Sequence, residues 1–496
     1  MQIVCPSSYF KEFIVTMRHY LPYLYWVVFS IISFTAHGQI SIDFPSDRAV
    51  FQRDKDNKAN IYIAGSYTKI ADKVEVKLSA RNGGTDKDWK SINDSPQGGF
   101  FSGTLSDVQG GWYKLEIRAL KGGQVIATNS IEHVGVGEVF MIAGQSNAQG
   151  YIDNQPNSGD IWDAQGAGDD RVSVVNYANV PDVPELPSGD SNFPYPSFIH
   201  LDKDKNIAPR GKTAWCWGRL GDRLATKLGV PILFYNVGWW GTHVGAWRES
   251  INGGRPKSIY ADTYFDPPGM PYGNMRDVIH RYTSLTGIRG IIWLQGEADN
   301  DMQPPTNRNN YFNDLKAVIE ASRNDAGKDI SWVVSQTSYN NRNNTDNEVI
   351  EGQRMVINTV PNVFQGPLTD LIQVPRIDAG GGINGVHFMK DGLTQLADAW
   401  FDRLNDDFFN RSNPYPGMSP LNVVASCAGN GNVTLTVTNG GMHDFSWSAG
   451  GNSSSVQVGN GTYRVTARDD RNNLIWSPEI RVNEQIHPNQ PTISID

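Results

Sequence analysis

Near Val136 the hydrophobic pattern of this chain changes period, and that change limits what it can fold into more than any other feature. Before it, from Ile40 to about Gly135, short alternating stretches such as Lys73–Leu78 and Trp112–Ile117 are separated by Gly, Asn and Asp clusters. Period-two alternation with frequent turns predicts a small antiparallel β-sandwich over 39–135. After it, Glu138–Ala143 is an almost continuous apolar run, and similar runs recur at Pro231–Asn236, Gly290–Leu294 and Ile330–Ser335. Such runs suit strands buried on both faces. Between them, Ala214–Leu228, Tyr311–Ser322, Asn347–Asn358 and Leu393–Phe409 place apolar residues at spacings of three and four, as amphipathic helices do. A sheet buried on both faces needs helices on both, so 136–412 is predicted to be a three-layer α/β/α domain.

Two stretches interrupt that domain, 151–212 and 239–280, both rich in Pro, Gly, Asp and aromatics, as lids and binding loops are. Asn413–Gly417 opens a linker over 413–420, and alternating strands return over 421–484 before a tail at 485–496. In this last module Phe445–Ser448 and Gly461–Thr466 resemble the immunoglobulin-like repeats of bacterial surface proteins, which implies a spacer or attachment role.

The apolar run Tyr20–Phe34 follows Arg18 and precedes the small residues around Ala36 and Gly38, the layout of a secretory signal peptide over 1–38. Met17 is a second candidate start, and the run is short for a membrane span of about 20 residues. A secreted, periplasmic or cell-surface-associated location is expected, with no membrane contact once the leader is removed. The net charge of −9 on a chain with only 19% charged residues leaves no basic footprint for nucleic acid. Cys216 and Cys427 fall in different predicted modules, and no CxxC or Cys/His cluster supports zinc. Asp202, Asp204 and Asn206 have calcium-loop spacing, but Ile207 and Thr213 stand where such a loop needs glycine and glutamate, so no metal and no cofactor are expected.

In open α/β sheets ligands gather outside the carboxyl ends of the strands. There this chain places Gly144-Gln145-Ser146-Asn147-Ala148-Gln149-Gly150, then Gly238-Trp239-Trp240-Gly241-Thr242, then Gln295-Gly296-Glu297-Ala298-Asp299, and last Asn384-Gly385-Val386-His387. A serine on a tight turn, a histidine to take its proton and glycine-flanked N–H groups to face an oxyanion are the parts of acyl transfer. Ser146 does not sit in a G-x-S-x-G elbow, since position 148 is Ala, which disfavours an α/β-hydrolase.

GQSN, QGE-A-D and the late G-V-H-F together resemble the SGNH hydrolases, specifically the sialate O-acetylesterases and the acetylxylan esterases of carbohydrate esterase family six. The resemblance spans about 136–410. It implies a flavodoxin-like fold and cofactor-free removal of acetyl groups from the hydroxyls of an acetylated glycan, with Ser146 as nucleophile and His387 as general base. It further implies an oxyanion hole from the N–H groups of Ser146 and Gly241 with the Gln295 side chain. Gln145, Asn147, Trp239 and Trp240 are candidate substrate contacts, although the tryptophans, with Trp247, fit core packing equally well.

Two departures matter. Trp239-Trp240-Gly241-Thr242 stands where the family usually has W-G-G-T, so Trp240 either alters the oxyanion loop or adds a stacking face. Asn384 stands where the family's D-x-x-H has its aspartate, and in a serine protease the equivalent change costs about ten-thousand-fold. Three explanations stay open: another carboxylate serves His387, with Glu297 first and Asp378 and Asp299 behind; a Ser-His dyad operates; or Asn384-Gly385 deamidates. A carbohydrate-binding or adhesion protein on a degenerate scaffold, and an esterase for longer acyl chains, are the alternative functions.

Overall fold

The computed structural model describes residues 39–96, 98–150, 164–176, 195–340, 342–373, 376–377, 385–429 and 432–482. The expected leader, the tail, Asp378 and Asn384 lie outside the described residues. Eight strands come first: β1 (Ile40–Phe44), β2 (Ala49–Gln52), β3 (Lys58–Tyr67), β4 (Lys73–Gly83), β5 (Lys87–Asn93), β6 (Phe100–Gln109), β7 (Gly111–Lys121) and β8 (Gln124–Gly144). β1, β3 and β6 make one antiparallel sheet, while β4, β5 and β7 join a second sheet through β8.

The period change seen in the sequence lies inside β8. Its first ten residues are exposed or half-buried and pair antiparallel with β7, whereas everything from Val134 to Gly144 is buried. The expected module boundary at 135/136 therefore falls within one unbroken strand, which carries the hydrogen-bond ladder from the β layer into the α/β layer.

Beyond β8 the α/β part contains β9 (Val172–Val175), β10 (Phe198–His200), β11 (Ile232–Asn236), β12 (Gly287–Ile288), β13 (Gly290–Leu294), β14 (Ser331–Gln336) and β15 (Val363–Leu368). Its sheet has the order β10-β9-β11-β8-β13-β14-β15, and every pairing is parallel except β10 with β9. Taken as β8, β11, β13, β14 and β15, the order is 2-1-3-4-5, the doubly wound arrangement whose switch point lies beside its first strand, here β8.

Alternate residues of β8 enter two different cores. Val139, Met141 and Ala143 pack on one side of the sheet, Phe140 and Ile142 on the other. The main helices among the described residues are α1 (Ser146–Gln149), α2 (Trp217–Leu228), α3 (Val244–Ser250), α4 (Tyr272–Val278), α5 (Glu297–Asp301), α6 (Arg308–Ala326), α7 (Asn347–Thr359), α8 (Asp391–Arg403) and α9 (Asp406–Arg411). α3, α6 and α7 supply Trp247, Leu315 and Val356 to the first core, and α2, α8 and α9 supply Leu224, Trp400 and Phe408 to the second. The chain is mixed α/β, as the pattern requires.

Side chains start α6 and α7: Asn307 accepts from Asn310 N–H, and Asp346 accepts from the N–H groups of Glu348 and Val349. The single helix expected over 393–409 is two, because Asn405 caps α9 by accepting from Phe408 N–H and so interrupts the run. The short strands β16 (Arg376–Ile377) and β17 (His387–Phe388) pair with each other, and β18 (Tyr415–Pro416) ties the linker to β12. The C-terminal strands form three small antiparallel sheets around buried Leu435, Trp447, Val465 and Ile475. Cys216 is buried and Cys427 exposed, both as free thiols. No helix among the described residues is long and apolar enough to cross a membrane.

Candidate active site

The two strands flanking the switch point, β8 and β13, end at Gly144 and Leu294 and lie in register there. Gly144 has φ +132, and a Cβ on it would meet Leu294 O at 2.0 Å, so only glycine lets the strands close up before the turn. Gln145 N–H then donates to Leu294 O at 3.0 Å, and Ser146 opens α1. Ala148 O fixes this short helix by accepting from Trp217 Nε1 at 3.0 Å and Asn236 Nδ2 at 2.8 Å.

On that turn Ser146 Oγ lies 2.9 Å from His387 Nε2, a hydrogen-bonding distance between residues 241 apart in sequence. Both side chains are buried. His387 is on β17, and Arg376 on the paired β16 secures the strand by donating to Val386 O, Thr369 O and Ile372 O.

The loop after β11 is bonded to both ends of the serine turn. Trp239 N–H donates to Gly144 O and Trp240 N–H to Gln149 Oε1, each at 2.8 Å. Gly241 follows with φ +70. Among the described residues, the backbone N–H groups of Ser146 and Gly241 have no intramolecular acceptor, unlike those of Gln145, Trp239 and Trp240. Two unspent donors beside a Ser-His pair are what a developing oxyanion needs.

Gln295 departs from the expected role. Its Nε2 donates to Asp299 Oδ2 at 2.5 Å and Thr242 O at 3.0 Å, and its Oε1 accepts from Tyr311 OH at 3.0 Å. Both amide protons are committed to the scaffold, so Gln295 holds the loop bearing Gly241 rather than facing the reacting atoms. Gln145 and Asn147 are scaffold too. Gln145 Oε1 accepts from Ala298 N–H at 3.1 Å, and Asn147 bonds the backbone on either side of His387.

Glu297 is fully buried and accepts from Asn147 Nδ2 at 2.8 Å, with no bond to His387. Burial raises its carboxyl above the ordinary range, against the pull of Asn147 and Arg376. Asp299, likewise raised by burial, accepts from Gln295 and from Val244 N–H. Of the three carboxylates considered for the third position, Glu297 and Asp299 bond other partners, while Asp378, like Asn384, lies outside the described residues.

The tryptophans separate. Trp247 is fully buried and donates to Thr242 Oγ1 at 2.9 Å, and Trp239 is buried beneath the Arg210 guanidinium at 3.7 Å. Trp240 alone of the three is exposed. His200, the last residue of β10 rather than a loop residue, bonds Asp202 and Asp169 O, and His243 precedes α3.

Residues passed over in the sequence also build the site: Gln149, Asn236, Arg376 and Gln353. Gln353 donates to Gln295 O at 3.2 Å and to Thr337 O at 2.8 Å. Its signal was present, a polar residue on the apolar stripe of α7 between Val349 and Val356.

A Ser-His pair with unspent N–H donors at the carboxyl edge of a doubly wound sheet defines a site fit for nucleophilic acyl transfer. Residues 241–392, which hold Gly241, Gln295, Glu297 and His387, match the family described as carbohydrate esterase, sialic acid-specific acetylesterase. The resemblance to the sialate O-acetylesterase group of carbohydrate esterases is borne out by this match. No curated protein matches the chain. Among solved structures, a carbohydrate acetylesterase from Xanthomonas citri has 16% identity, covering 88% of this chain and 98% of its own, with a TM-score of 0.44. A protein from Arabidopsis thaliana has 13% identity over 55% of this chain and 98% of its own, TM-score 0.36. A family two carbohydrate esterase from Clostridium thermocellum has 10% identity over 74% and 98%, TM-score 0.28.

Proposed function

We propose that this chain is a secreted carbohydrate O-acetylesterase. Its α/β part is an SGNH domain of flavodoxin-like, three-layer type, carried between two small β modules. The observation that carries the reading is the 2.9 Å approach of Ser146 Oγ to His387 Nε2.

In the first step Ser146 Oγ attacks the acetyl carbonyl carbon while His387 Nε2 takes the hydroxyl proton. The carbonyl oxygen becomes an oxyanion and accepts from the N–H groups of Ser146 and Gly241. On collapse the C–O bond to the sugar breaks and His387 returns its proton to the sugar oxygen. Water, deprotonated by His387, then attacks the acetyl-enzyme and releases acetate with Ser146 restored. Glu297, Gln295, Asp299 and Asn147 position these groups.

The test is hydrolysis of 4-nitrophenyl acetate by the purified protein. Ser146→Ala is expected to lower kcat by about a thousandfold or more. Equal rates for wild type and Ser146→Ala would defeat the esterase reading in favour of a non-catalytic carbohydrate-binding protein.

A further inference from the structure

At Gly241, on the loop bonded to the serine turn, two aromatic rings stand open: Trp240 is 40% exposed and Tyr260 39%. Trp240 is pinned to the serine turn through Gln149. Tyr260 comes back to the site from the 239–280 insertion and is anchored by its hydroxyl, which donates to Asp301 Oδ2 at 2.8 Å. The rings are 5.9 Å apart and inclined at 42°, making an open corner. Tyr260 also lies against Gly241, where a Cβ would come within 3.2 Å of its ring. The corner therefore borders the unspent Gly241 N–H.

The charges around it are spent. Arg248, Arg255, Lys257 and Arg276, the cations of the 239–280 insertion, pair with Asp314, Asp266, Asp262 and Asp325. Arg342 pairs with Asp301, Arg376 donates to three carbonyls, and Arg210 covers Trp239. Lys212 and Lys390 are partnered as well. Among the described residues, a sugar carboxylate held at such a site would therefore find no uncommitted charged donor of the kind that makes anion recognition strong.

We propose that Trp240 and Tyr260 form a platform for an uncharged pyranose ring of the acetylated substrate, so that the site prefers neutral acetylated polysaccharide to sialate esters. The proposal rests on the esterase reading above. The apolar C–H face of the pyranose lies on the aromatic corner and brings an acetyl group of the same or the adjoining sugar to Ser146.

The experiment compares kcat/KM for acetylated xylo- and manno-oligosaccharides, a 9-O-acetyl sialoside and 4-nitrophenyl acetate. At least one neutral oligosaccharide is expected to exceed the sialoside by about tenfold or more, the advantage of roughly one well-placed contact. Trp240→Ala is expected to lower kcat/KM on that oligosaccharide about tenfold more than on the aryl acetate, with Trp240→Phe recovering most of the difference. Sialoside turnover at or above the neutral rates, turnover of neither neutral oligosaccharide, or equal losses on both acetates in Trp240→Ala would overturn it. Should Ser146→Ala match wild type on the aryl acetate, the esterase reading fails by itself. Calorimetric titration with the deacetylated oligosaccharides then decides the platform: binding lost in Trp240→Ala supports it, and binding unchanged overturns it.

Discussion

Asn147 donates one amide proton to Glu297 Oε1 at 2.8 Å and the other to Val386 O at 3.1 Å, while its Oδ1 accepts from Phe388 N–H at 3.4 Å. The residue next to Ser146 thus grips the backbone on both sides of His387, and Glu297 fixes that grip from behind. Glu297 is bonded to that grip rather than to the imidazole, and its carboxyl is raised by burial toward the neutral form. Glu297→Gln keeps an acceptor for Asn147 in a neutral side chain, so kcat on an aryl acetate is expected to stay within about threefold of wild type. Glu297→Ala strands a buried donor at a cost of about 1–3 kcal/mol and should lower kcat about tenfold. Near-complete loss in Glu297→Gln would return Glu297 to the proton relay.

Gln295 joins four groups, Asp299, Thr242 O, Tyr311 OH and Gln145, and this makes a separable prediction. Removing a pure oxyanion donor costs about 10²–10³ in kcat and leaves stability alone. Gln295→Met instead leaves buried polar atoms on these neighbours without a partner, so the fold should lose about 2–4 kcal/mol along with activity. Thermal melting run beside kinetics distinguishes the two roles. An unchanged Tm with a large fall in kcat would place the amide at the oxyanion.

Much of the fold was legible because period carries it. β13 spans Gly290–Leu294 as read from its apolar run, and α7 differs from the expected helix only at its last residue. Ser146 and His387, which the fold brings to 2.9 Å, could be picked out as a pair because each lies in or at the end of a Gly-containing polar segment. Where the reading failed, it did so through direction. Gln145, Asn147 and Gln295 occupy the strand ends as expected, yet their amides turn inward to carbonyls and N–H groups of other strand-end loops. Residue type and spacing fix where such a side chain begins, and only the three-dimensional arrangement of acceptors decides where it points. The 135/136 boundary was read from a change of burial that lies within β8, which continues as one strand to Gly144 past a register shift against β7 at Ile131–Val134.

β8 carries a buried charge in its second half. Glu138 in β8 accepts from Arg289 Nε at 2.7 Å and Nη2 at 2.8 Å, from Arg53 Nε at 2.7 Å and from Gln52 Nε2 at 2.9 Å. Burial works to raise its carboxyl, but the two guanidinium groups outweigh burial and hold it below the ordinary range. Its contribution to stability is therefore present above that range and lost as pH falls through the lowered value. Arg289→Met leaves the carboxylate half neutralised and is expected to cost about 3–5 kcal/mol. Urea unfolding at pH 7 measures it, and a change under 1 kcal/mol would show that Arg53 and Gln52 suffice.

Asp43 in β1 titrates in the opposite sense. Burial raises its carboxyl from 3.8 to about 6, against hydrogen bonding by Ser41 and the charge of Arg481. Ser41 Oγ donates to Oδ1 at 3.0 Å, and the cavity beside the carboxyl is lined by β1 and β3 on one side and Leu421–Val423 and Pro478–Ile480 on the other. A raised carboxyl favours the protonated form in the folded chain, so its contribution is fully present below the unfolded value and lost as pH rises through about 6. Wild type is expected to lose roughly 2–3 kcal/mol from this group across that window. Asp43→Asn keeps the shape without the charge and should remove the loss, raising stability at pH 7.5 while matching wild type near pH 4. Denaturant unfolding across that range checks it: parallel curves for the two proteins would mean that Asp43 ionises in the fold as freely as in the unfolded chain.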